Sequence, residues 1–319
     1  MDKKLINILI FGAGAIGCHL AYIFHIPNVK VYIYMRKEKF RLAKSKGIDV
    51  LIKDNEKLIK KYKLRDSKDL KFINKMNKKL EFDYVFFTHK LIGNYKNPFR
   101  KVSNYISDKT YIITPCTLLP GWWLKRFGTQ KKTFFKKNII AMTMWISGIM
   151  EGNKVTIKHT QRGYPIKSVY PNGTIASERL RGLIKKKSIS PTIKDAYSEI
   201  YLKVVNSFAF NLIAIKYELD NFGLSKNLKA ISDIRKIMGE IDGLILKLDL
   251  KLSQSIDSRI SQTLSSTKHT MSMLSDFRMN KQVELFNQWK SLRKIKGFKK
   301  NKIMFTYKIF QEVRKKIDD

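Results

Sequence analysis

The stretch LINILIFGAGAIGCHLAYIFHIPNVKVYIYMR, residues 5–36, decides the fold of this chain. Its apolar, β-branched run at 6–11 predicts a buried strand, which is followed by a glycine turn, a helical run and a second β-rich run at 29–35. In the turn, Gly12, Gly14 and Gly17 form the pattern G-x-G-x-x-G between a strand and a helix. This context is typical of a dinucleotide-binding site. The alternative is a glycine turn that only packs.

Each glycine of the turn has a separate physical role in binding a dinucleotide. The first permits a tight turn, the second lets a pyrophosphate approach bare backbone, and the third lets the helix pack close to the strand. The free N–H groups and the dipole at the start of the helix favour the negative charge of the phosphates. We therefore predict that the cofactor is bound by Gly12, Gly14, Ala15, Ile16 and Gly17.

The residues at the end of the second β-rich run favour NADPH over NADH. An NAD-selective site has an acidic residue about 20 residues after the glycines, where it binds the ribose 2′-hydroxyl. This chain has Arg36 there, followed by Lys37 and Lys39. A guanidinium group can bind a 2′-phosphate in a bidentate geometry that an ammonium group lacks. We predict NADPH as the cofactor, with NADH as the alternative because Glu38 is nearby.

The composition indicates a globular protein of a reducing compartment. With 319 residues, of which 44% are hydrophobic, the chain can bury a substantial core. Two cysteines, Cys18 and Cys116, make no disulfide framework. Lys3 and Lys4 before an apolar run resemble a signal peptide, but the glycine motif interrupts that run. Because no apolar stretch approaches the roughly 18–20 residues of a membrane span, we expect a cytoplasmic protein with no membrane segment.

The net charge of +38 is large but says little about partners. A charge of this size would suit a nucleic acid or an anionic membrane surface. The cations are mostly lysines spread from end to end of a chain that is also rich in Ile and Asn, residues that share A/T-rich codons. Neither a Cys/His zinc pattern nor an aromatic RNA-binding motif accompanies them. We therefore attribute the charge to biased composition and expect no nucleic acid and no metal as ligands.

The hydrophobic pattern changes its period at about residue 190. Before it, β-type runs predominate at 82–88, 110–114, 138–149 and 155–169, and the charged segment 37–79 indicates a helix plus surface excursions. After it, the periodicity predicts helices at 193–217, 228–250, 254–274, 285–294 and 304–317. The predicted fold is an α/β Rossmann-type dinucleotide-binding domain at 1–185, followed by an all-α helical domain at 190–319. We expect the chemistry in a cleft between the two domains.

One predicted helix carries an unusual polar face. Lys203, Ser207 and Asn211 are spaced i, i+4 and i+8, and therefore lie along one face, with Asn206 beside them. The surrounding residues are strongly apolar, and polar groups among them are costly unless they face a polar cleft. The alternative is a lysine that extends its charged end from a half-buried helix into the solvent.

The chain resembles the ketopantoate reductase family, also called 2-dehydropantoate 2-reductase, over nearly its whole length. The shared features are a glycine motif, an arginine after the second strand, a lysine after a later strand, a lysine followed by an asparagine eight positions on, and a late S-M-L-x-D signature with a glutamate after it. Here they are Gly12 to Gly17, Arg36, Lys90, Lys203 with Asn211, Ser272 to Leu274 with Asp276, and Glu284. The late signature alone would be an ordinary amphipathic stretch, so the joint agreement carries the resemblance.

Three features depart from the family pattern. Family members usually have Asn-Gly where this chain has Cys116-Thr117, and that asparagine contacts both cofactor and substrate in the family. Ser207 stands where the family has an asparagine four residues after the lysine. The glycine or proline between Asp276 and Glu284 is also absent. These changes bear on the affinity for the substrate or on its identity.

The resemblance implies that NADPH reduces the C2 ketone of 2-dehydropantoate to give pantoate for pantothenate synthesis. It implies that Lys203 is the general acid and that Glu284 orients it and binds a substrate hydroxyl. The implied substrate-binding residues are Ser207, Asn211 and Ser272, and the further cofactor-binding residues are Lys90 and Cys116. One alternative is a related NADPH-dependent reductase of another 2-oxo acid, and a second is a non-catalytic dinucleotide-binding protein. Since family members are often dimers, a homodimer is possible.

Overall fold

The computed structural model describes residues 5–54, 57–76, 80–90, 99–114, 117–127, 138–265 and 270–319. These residues divide into two compact units. The sheet unit comprises the described residues of 5–89, 99–114 and 124–196, and the helical unit comprises Lys90, 117–123 and the described residues of 197–319.

The strands, in chain order, are β1 (Ile6–Phe11), β2 (Val29–Tyr34), β3 (Ile48–Asp54), β4 (Lys57–Leu64), β5 (Leu70–Ile73), β6 (Tyr84–Phe87), β7 (Tyr111–Ile113), β8 (Ile139–Met142), β9 (Trp145–Glu151), β10 (Lys154–Gly163) and β11 (Ile166–Ser168). The α-helices are α1 (Ala15–Phe24), α2 (Lys37–Lys46), α3 (Phe99–Val102), α4 (Pro120–Phe127), α5 (Thr174–Lys185), α6 (Ala196–Tyr217), α7 (Asn221–Ser225), α8 (Leu228–Ile245), α9 (Ile256–Leu264), α10 (Ser272–Arg278), α11 (Leu285–Leu292) and α12 (Met304–Asp318).

A seven-stranded sheet forms the centre of the sheet unit, in the order β11-β8-β7-β6-β1-β2-β5. Its neighbouring strands are parallel, except that β11 is antiparallel to β8. Ile8, Leu9 and Ile10 in the central strand β1 are fully buried, as is usual for strands of parallel sheets that are covered on both faces. The chain continues from β1 to β2 and β5 on one side and returns through β6, β7 and β8 on the other. This is the strand order of a Rossmann fold, so the predicted fold class is confirmed.

A second, four-stranded sheet in the order β4-β3-β10-β9 corrects the prediction for residues 37–79. Among the described residues of that segment, α2 is the only α-helix, and β3, β4 and β5 follow it. Ile48, Val50 and Ile52 alternate with partly exposed residues, a period-two pattern typical of a half-buried strand. The lysine-rich β4 lacks this signal because most of its side chains are exposed. The predicted helix is therefore present, but the structure has three strands where the sequence predicts surface excursions.

The two strand runs predicted around the turn at 151–153 each divide between the two sheets. Residues 138–149 supply β8 to the first sheet and most of β9 to the second, and residues 155–169 supply most of β10 to the second sheet and β11 to the first. Gly163 has a φ of +50°, and a Cβ there would lie 2.3 Å from the carbonyl oxygen of Ile189. Only glycine fits this bend, after which the chain returns to the first sheet.

Helix α5 and the lysine that follows it complete the sheet unit, and the sequence analysis does not predict this helix. Its buried residues Ala176, Leu180 and Ile184 recur every four positions. After it, the Lys187 ammonium donates hydrogen bonds to the carbonyl oxygens of Tyr22 at 2.9 Å and His25 at 2.6 Å. It thereby caps the C-terminal end of α1, where unpaired carbonyls and the helix dipole favour a cation.

The helical unit is held together by α6, whose central residues are almost all buried. Trp289 of α11 stacks on Phe310 of α12, with ring centroids 4.4 Å apart, and on Phe208 of α6, with centroids 6.0 Å apart. The N-terminus of α12 is capped by the Glu240 carboxylate of α8, which accepts hydrogen bonds from the backbone N–H groups of Phe305 and Thr306. None of the helices among the described residues combines the length and the hydropathy needed to cross a bilayer.

The helix predicted at 254–274 is instead two helices, α9 and α10. Ser255 caps the start of α9, its Oγ accepting a hydrogen bond from the backbone N–H of Ser258 at 3.2 Å. Before α10, Met271 has extended backbone angles, so Ser272 is the first residue of a new helix. Residues 266–269 lie outside the part of the chain that the structure describes. The other helices predicted in this half are present with shifted ends.

Candidate functional site

The three glycines of the turn after β1 meet three different environments. Gly12 has a φ of +125°, and a Cβ there would lie 2.8 Å from the backbone nitrogen of His89. A Cβ on Gly17 would lie 1.9 Å from the carbonyl oxygen of Gly12, so α1 can pack this close to the turn only without a side chain. A Cβ on Gly14 would have no atom within 4 Å. Gly14 thus borders open space at the start of α1.

The turn lies where the strand order reverses, between the carboxyl ends of β1 and β6. Thr88, directly after β6, donates a hydrogen bond from Oγ1 to the carbonyl oxygen of Gly12 at 2.8 Å. Burial lowers the pKa of the neighbouring His89 to about 4, so this imidazole is neutral at physiological pH. Open parallel sheets bind their ligands at such a reversal.

The start of α1 is suited to an anion. Its first turn contains no acidic residue, and no side chain caps the backbone N–H groups there. Gly14 is exposed, and Ala15 and Ile16 are half-buried. Free N–H groups and the positive end of a helix dipole therefore border the open space next to Gly14, an arrangement that can hold a phosphate group. The binding roles of these residues stay predictions.

Two cations follow β2, and one of them, Lys39, contacts the glycine turn. Arg36 is exposed and occupies the position before α2. Lys39, in the first turn of α2, donates a hydrogen bond to the carbonyl oxygen of Ala13 in the glycine turn. Its pKa is lowered by burial and, to a lesser degree, by the charge of Arg36, whereas the coulombic effect of Cys18 opposes the shift. The sequence shows Lys39 only as a neighbour of Arg36, because spacing along the chain does not reveal its contact with the glycine turn.

The structure describes only one of the other two residues that are predicted to bind the cofactor, Lys90 and Cys116. Cys116 lies outside the described residues. The Lys90 ammonium forms an ion pair with the Asp276 carboxylate, with Nζ and Oδ2 2.5 Å apart. The side chain of Asp276 is 9% exposed and that of Lys90 is 49% exposed. Lys90 therefore contacts the aspartate of the late sequence signature, and its role toward a cofactor stays a prediction.

The polar face predicted on α6 is linked to α10 by hydrogen bonds. The Asn211 amide donates from Nδ2 to the carbonyl oxygen of Ser207 at 2.7 Å and to its Oγ at 3.3 Å. Its Oδ1 accepts a hydrogen bond from the backbone N–H of Met273 at 3.1 Å. Asn211 thus satisfies a backbone N–H in the first turn of α10, next to Ser272. Both Asn211 and Ser272 are substrate-binding residues in the prediction.

Gln288 of α11 belongs to the same hydrogen-bond network and was missed by the sequence analysis. It is fully buried, and its Nε2 donates a hydrogen bond to Ser207 Oγ at 3.2 Å. Its Oε1 is buried without a hydrogen-bond partner among the described residues. A sequence signal existed, because Gln288 lies between the apolar residues Leu285, Trp289 and Leu292 on the buried side of the helix.

The predicted catalytic residues lie close in sequence to this network. Lys203 precedes Ser207 by one turn of α6 and is half-buried. Glu284 precedes Gln288 by four residues, occupies the position before α11 and is also half-buried. Ser272 is exposed at the start of α10. Among the described residues, no group of three or more His, Cys, Asp or Glu side chains could hold a metal ion. The catalytic and substrate-binding roles stay predictions.

Comparisons with known proteins give a family and a fold. Residues 8–164 match the family model described as Ketopantoate reductase PanE/ApbA, which confirms the resemblance seen in the sequence motifs. Among solved structures, 2-dehydropantoate 2-reductase from Methylococcus capsulatus is 18% identical, with 98% of each chain covered and a TM-score of 0.73. No curated protein matches the chain significantly.

Two further structures share the fold over nearly the whole chain. D-mandelate dehydrogenase, in a ternary complex with NADH and anilino(oxo)acetate, is 15% identical, with 98% of this chain and 99% of that chain covered and a TM-score of 0.74. A dimeric ketopantoate reductase from Staphylococcus aureus is 14% identical, with 98% of this chain and 100% of that chain covered and a TM-score of 0.70. At these identities the likeness concerns the fold.

Proposed function

Because residues 8–164 belong to the ketopantoate reductase family, we propose that this chain reduces 2-dehydropantoate to pantoate with NADPH and so supplies pantothenate synthesis. The observation that carries the proposal is the polar face of α6, where Lys203, Ser207 and Asn211 lie in line and Asn211 is hydrogen-bonded to α10. Burying such groups in an apolar helix is costly unless they are hydrogen-bonded to the protein or to a polar ligand.

The proposed cofactor site is the glycine turn with the start of α1. Backbone N–H groups next to Gly14 would hold the pyrophosphate, and Arg36 would bind the 2′-phosphate. NADPH, when bound, supplies the hydride. The absence of an acidic residue at the end of β2 supports NADPH over NADH, since a carboxylate there would bind the 2′-hydroxyl and repel a phosphate.

In the proposed mechanism, Lys203 is the general acid. Hydride addition to the C2 carbonyl creates negative charge on its oxygen, and the Lys203 ammonium stabilises this charge and then donates its proton to the oxygen. Glu284 would orient the ammonium and accept a hydrogen bond from a substrate hydroxyl. Ser272 would bind the substrate carboxylate, and Asn211 and Ser207 would complete the pocket.

The second candidate is an NADPH-dependent reductase of another 2-oxo acid. Ser207 supports it, because a hydroxyl stands where the family pattern has an amide. The D-mandelate dehydrogenase complex is consistent with it, since that protein shares the fold and its ligand is a different 2-oxo acid. A non-catalytic dinucleotide-binding protein is disfavoured, because it would have no need of both Lys203 and Glu284.

The test is the oxidation of NADPH by the purified protein, followed at 340 nm with ketopantoate and with a panel of aliphatic and aromatic 2-oxo acids. We expect the highest kcat/KM with ketopantoate. A strong preference for another acid would favour the second candidate, and no turnover with any acid would refute both. We also propose that the protein is cytoplasmic and, by analogy with the dimeric Staphylococcus aureus enzyme, that it forms a homodimer, whose mass analytical ultracentrifugation would measure.

A further inference from the structure

Among the residues that the structure describes, none accepts a hydrogen bond from the Ser207 hydroxyl. A serine hydroxyl has one proton to donate and can accept two hydrogen bonds. Ser207 Oγ accepts one from Gln288 Nε2 at 3.2 Å and one from Asn211 Nδ2 at 3.3 Å. It donates none to any residue that the structure describes. In this orientation of the Gln288 amide, in which Nε2 faces Ser207, both acceptor positions are filled, so a third group that contacts this hydroxyl must accept its proton.

The orientation of the Asn211 amide is fixed independently of Ser207. Its Oδ1 accepts the backbone N–H of Met273, so the donor side of the amide, Nδ2, faces Ser207. The bond from Asn211 is therefore always a donation to serine, and it cannot supply an acceptor for the serine proton.

Gln288 is more deeply buried than Ser207. Gln288 is fully buried, whereas Ser207 is half-buried and can be reached from outside. An unpaired amide oxygen in the interior costs free energy, and the helix packing could be kept by an apolar residue of the same size. Among the described residues, this side chain makes its one hydrogen bond to Ser207 Oγ, so its amide acts on that hydroxyl.

We propose that Gln288 is a positioning residue that turns the Ser207 hydroxyl into a directed hydrogen-bond donor for an oxygen of the bound 2-oxo acid. The amide that the family carries at position 207 is thus replaced by two residues, a hydroxyl on α6 and a carboxamide on α11. The proposal rests on the proposed function, because it needs a substrate whose carboxylate or carbonyl oxygen accepts the proton.

The test is a double-mutant cycle of Ser207→Ala and Gln288→Met, measured on the best substrate of the panel. Methionine keeps the unbranched shape of glutamine but cannot donate a hydrogen bond. We expect Ser207→Ala to raise the KM of the 2-oxo acid about tenfold or more, as for the loss of one hydrogen bond to a charged group. Gln288→Met should raise it about three- to tenfold, with kcat and the KM of NADPH nearly unchanged.

The double variant decides whether Gln288 acts through Ser207. If it does, Gln288→Met has no further effect on KM once Ser207 is alanine, so the double variant matches Ser207→Ala. The control is Thr306→Val, which removes a buried hydroxyl that donates to Glu240 at 2.6 Å elsewhere in the helical unit. It should lower the melting temperature without changing either KM.

The other possible outcomes would refute either the positioning role of Gln288 or the proposed function itself. Additive effects of the two substitutions on KM, or a normal KM in Gln288→Met, would refute the positioning role while leaving the proposed function intact. If the unaltered protein reduces no 2-oxo acid in the panel, the proposed function fails, and the role of Gln288 fails with it. Should Gln288→Met be too unstable to purify, Gln288→Leu replaces it in the same cycle.

Discussion

Alanine at Gly17 should lower the stability of the protein, whereas alanine at Gly14 should weaken cofactor binding at unchanged stability. At Gly17 the new methyl carbon would lie 1.9 Å from the carbonyl oxygen of Gly12 and 2.9 Å from Thr88 Oγ1. Helix α1 would have to move by more than an ångström. Overpacking of this kind costs about 3 kcal/mol, of which the better helix propensity of alanine recovers about 1 kcal/mol. The net loss of about 2 kcal/mol corresponds to a melting temperature lower by about 4–8 °C.

At Gly14 the same methyl group meets no atom within 4 Å, and the φ of −76° is one that alanine adopts freely. The folded protein therefore accommodates it, and we expect the melting temperature to change by less than about 2 °C. The methyl group would however occupy the space from which a pyrophosphate approaches the backbone. Losing one hydrogen bond to a charged phosphate weakens binding by about 1.5–3 kcal/mol, or roughly 10- to 150-fold.

The assay is a fluorescence titration of NADPH with each variant, together with thermal unfolding of the free proteins. Gly17→Ala should lose stability, and Gly14→Ala should lose affinity at unchanged stability. If Gly14→Ala binds NADPH as tightly as the unaltered protein, the pyrophosphate does not approach the backbone at this glycine, and the proposed cofactor site is refuted. Unchanged unfolding of Gly17→Ala would refute the close packing of helix and turn.

Four further predictions concern individual side chains. Arg36→Asp should weaken NADPH binding and narrow the preference over NADH, and equal catalytic efficiency of the unaltered protein with both cofactors would contradict the assignment. Lys203→Ala should lower kcat by about 10²–10⁴-fold with little change in cofactor affinity, and near-normal turnover would show that this ammonium only extends into the solvent. Cys116→Asn should lower the KM of ketopantoate by about one to two orders of magnitude, because an amide restores a hydrogen-bond donor and an acceptor. If the unaltered protein prefers another 2-oxo acid and this substitution raises the KM of that acid, the cysteine determines specificity. Lys187→Met should cost about 1–2 kcal/mol in thermal unfolding through loss of the cap on α1, whereas the exposed Lys186→Met should cost nothing measurable.

The glycine turn could be predicted in detail because its determinants are mostly local. Gly12 and Gly17 contact each other within one turn and helix, and the chain length between them fixes that geometry. The contact of Gly12 with His89 was beyond prediction, since it depends on β6 pairing with β1 across more than 70 intervening residues. The polar face of α6 was predictable for the same local reason, as helical spacing alone aligns Lys203 with Ser207.

Strand β4 and the contact of Gln288 with Ser207 could not be predicted, for two different physical reasons. Strand β4 reads KLIKKYKL, and without regular alternation of apolar and polar residues its sequence does not distinguish an exposed edge strand from a surface loop. Helical spacing places Gln288 on the buried side of α11, with Leu285, Trp289 and Leu292. Its hydrogen-bond partner Ser207 is 81 positions away in the chain, and no local pattern reveals a contact at that separation.

The parallel pairing of β3 with β10 has a consequence for the order in which the chain becomes structured during synthesis. Val50 pairs with Val155, so the hairpin of β3 and β4 leaves the ribosome about 100 residues before its remaining partner. At roughly 5–20 residues per second, one edge of β3 stays open for about 5–20 s. An open edge is a template for pairing with another nascent chain, and charged lysines disfavour such pairing. The exposed lysines of β4 lie on the hairpin whose second edge is still open during this time, and their charge disfavours pairing between neighbouring nascent chains.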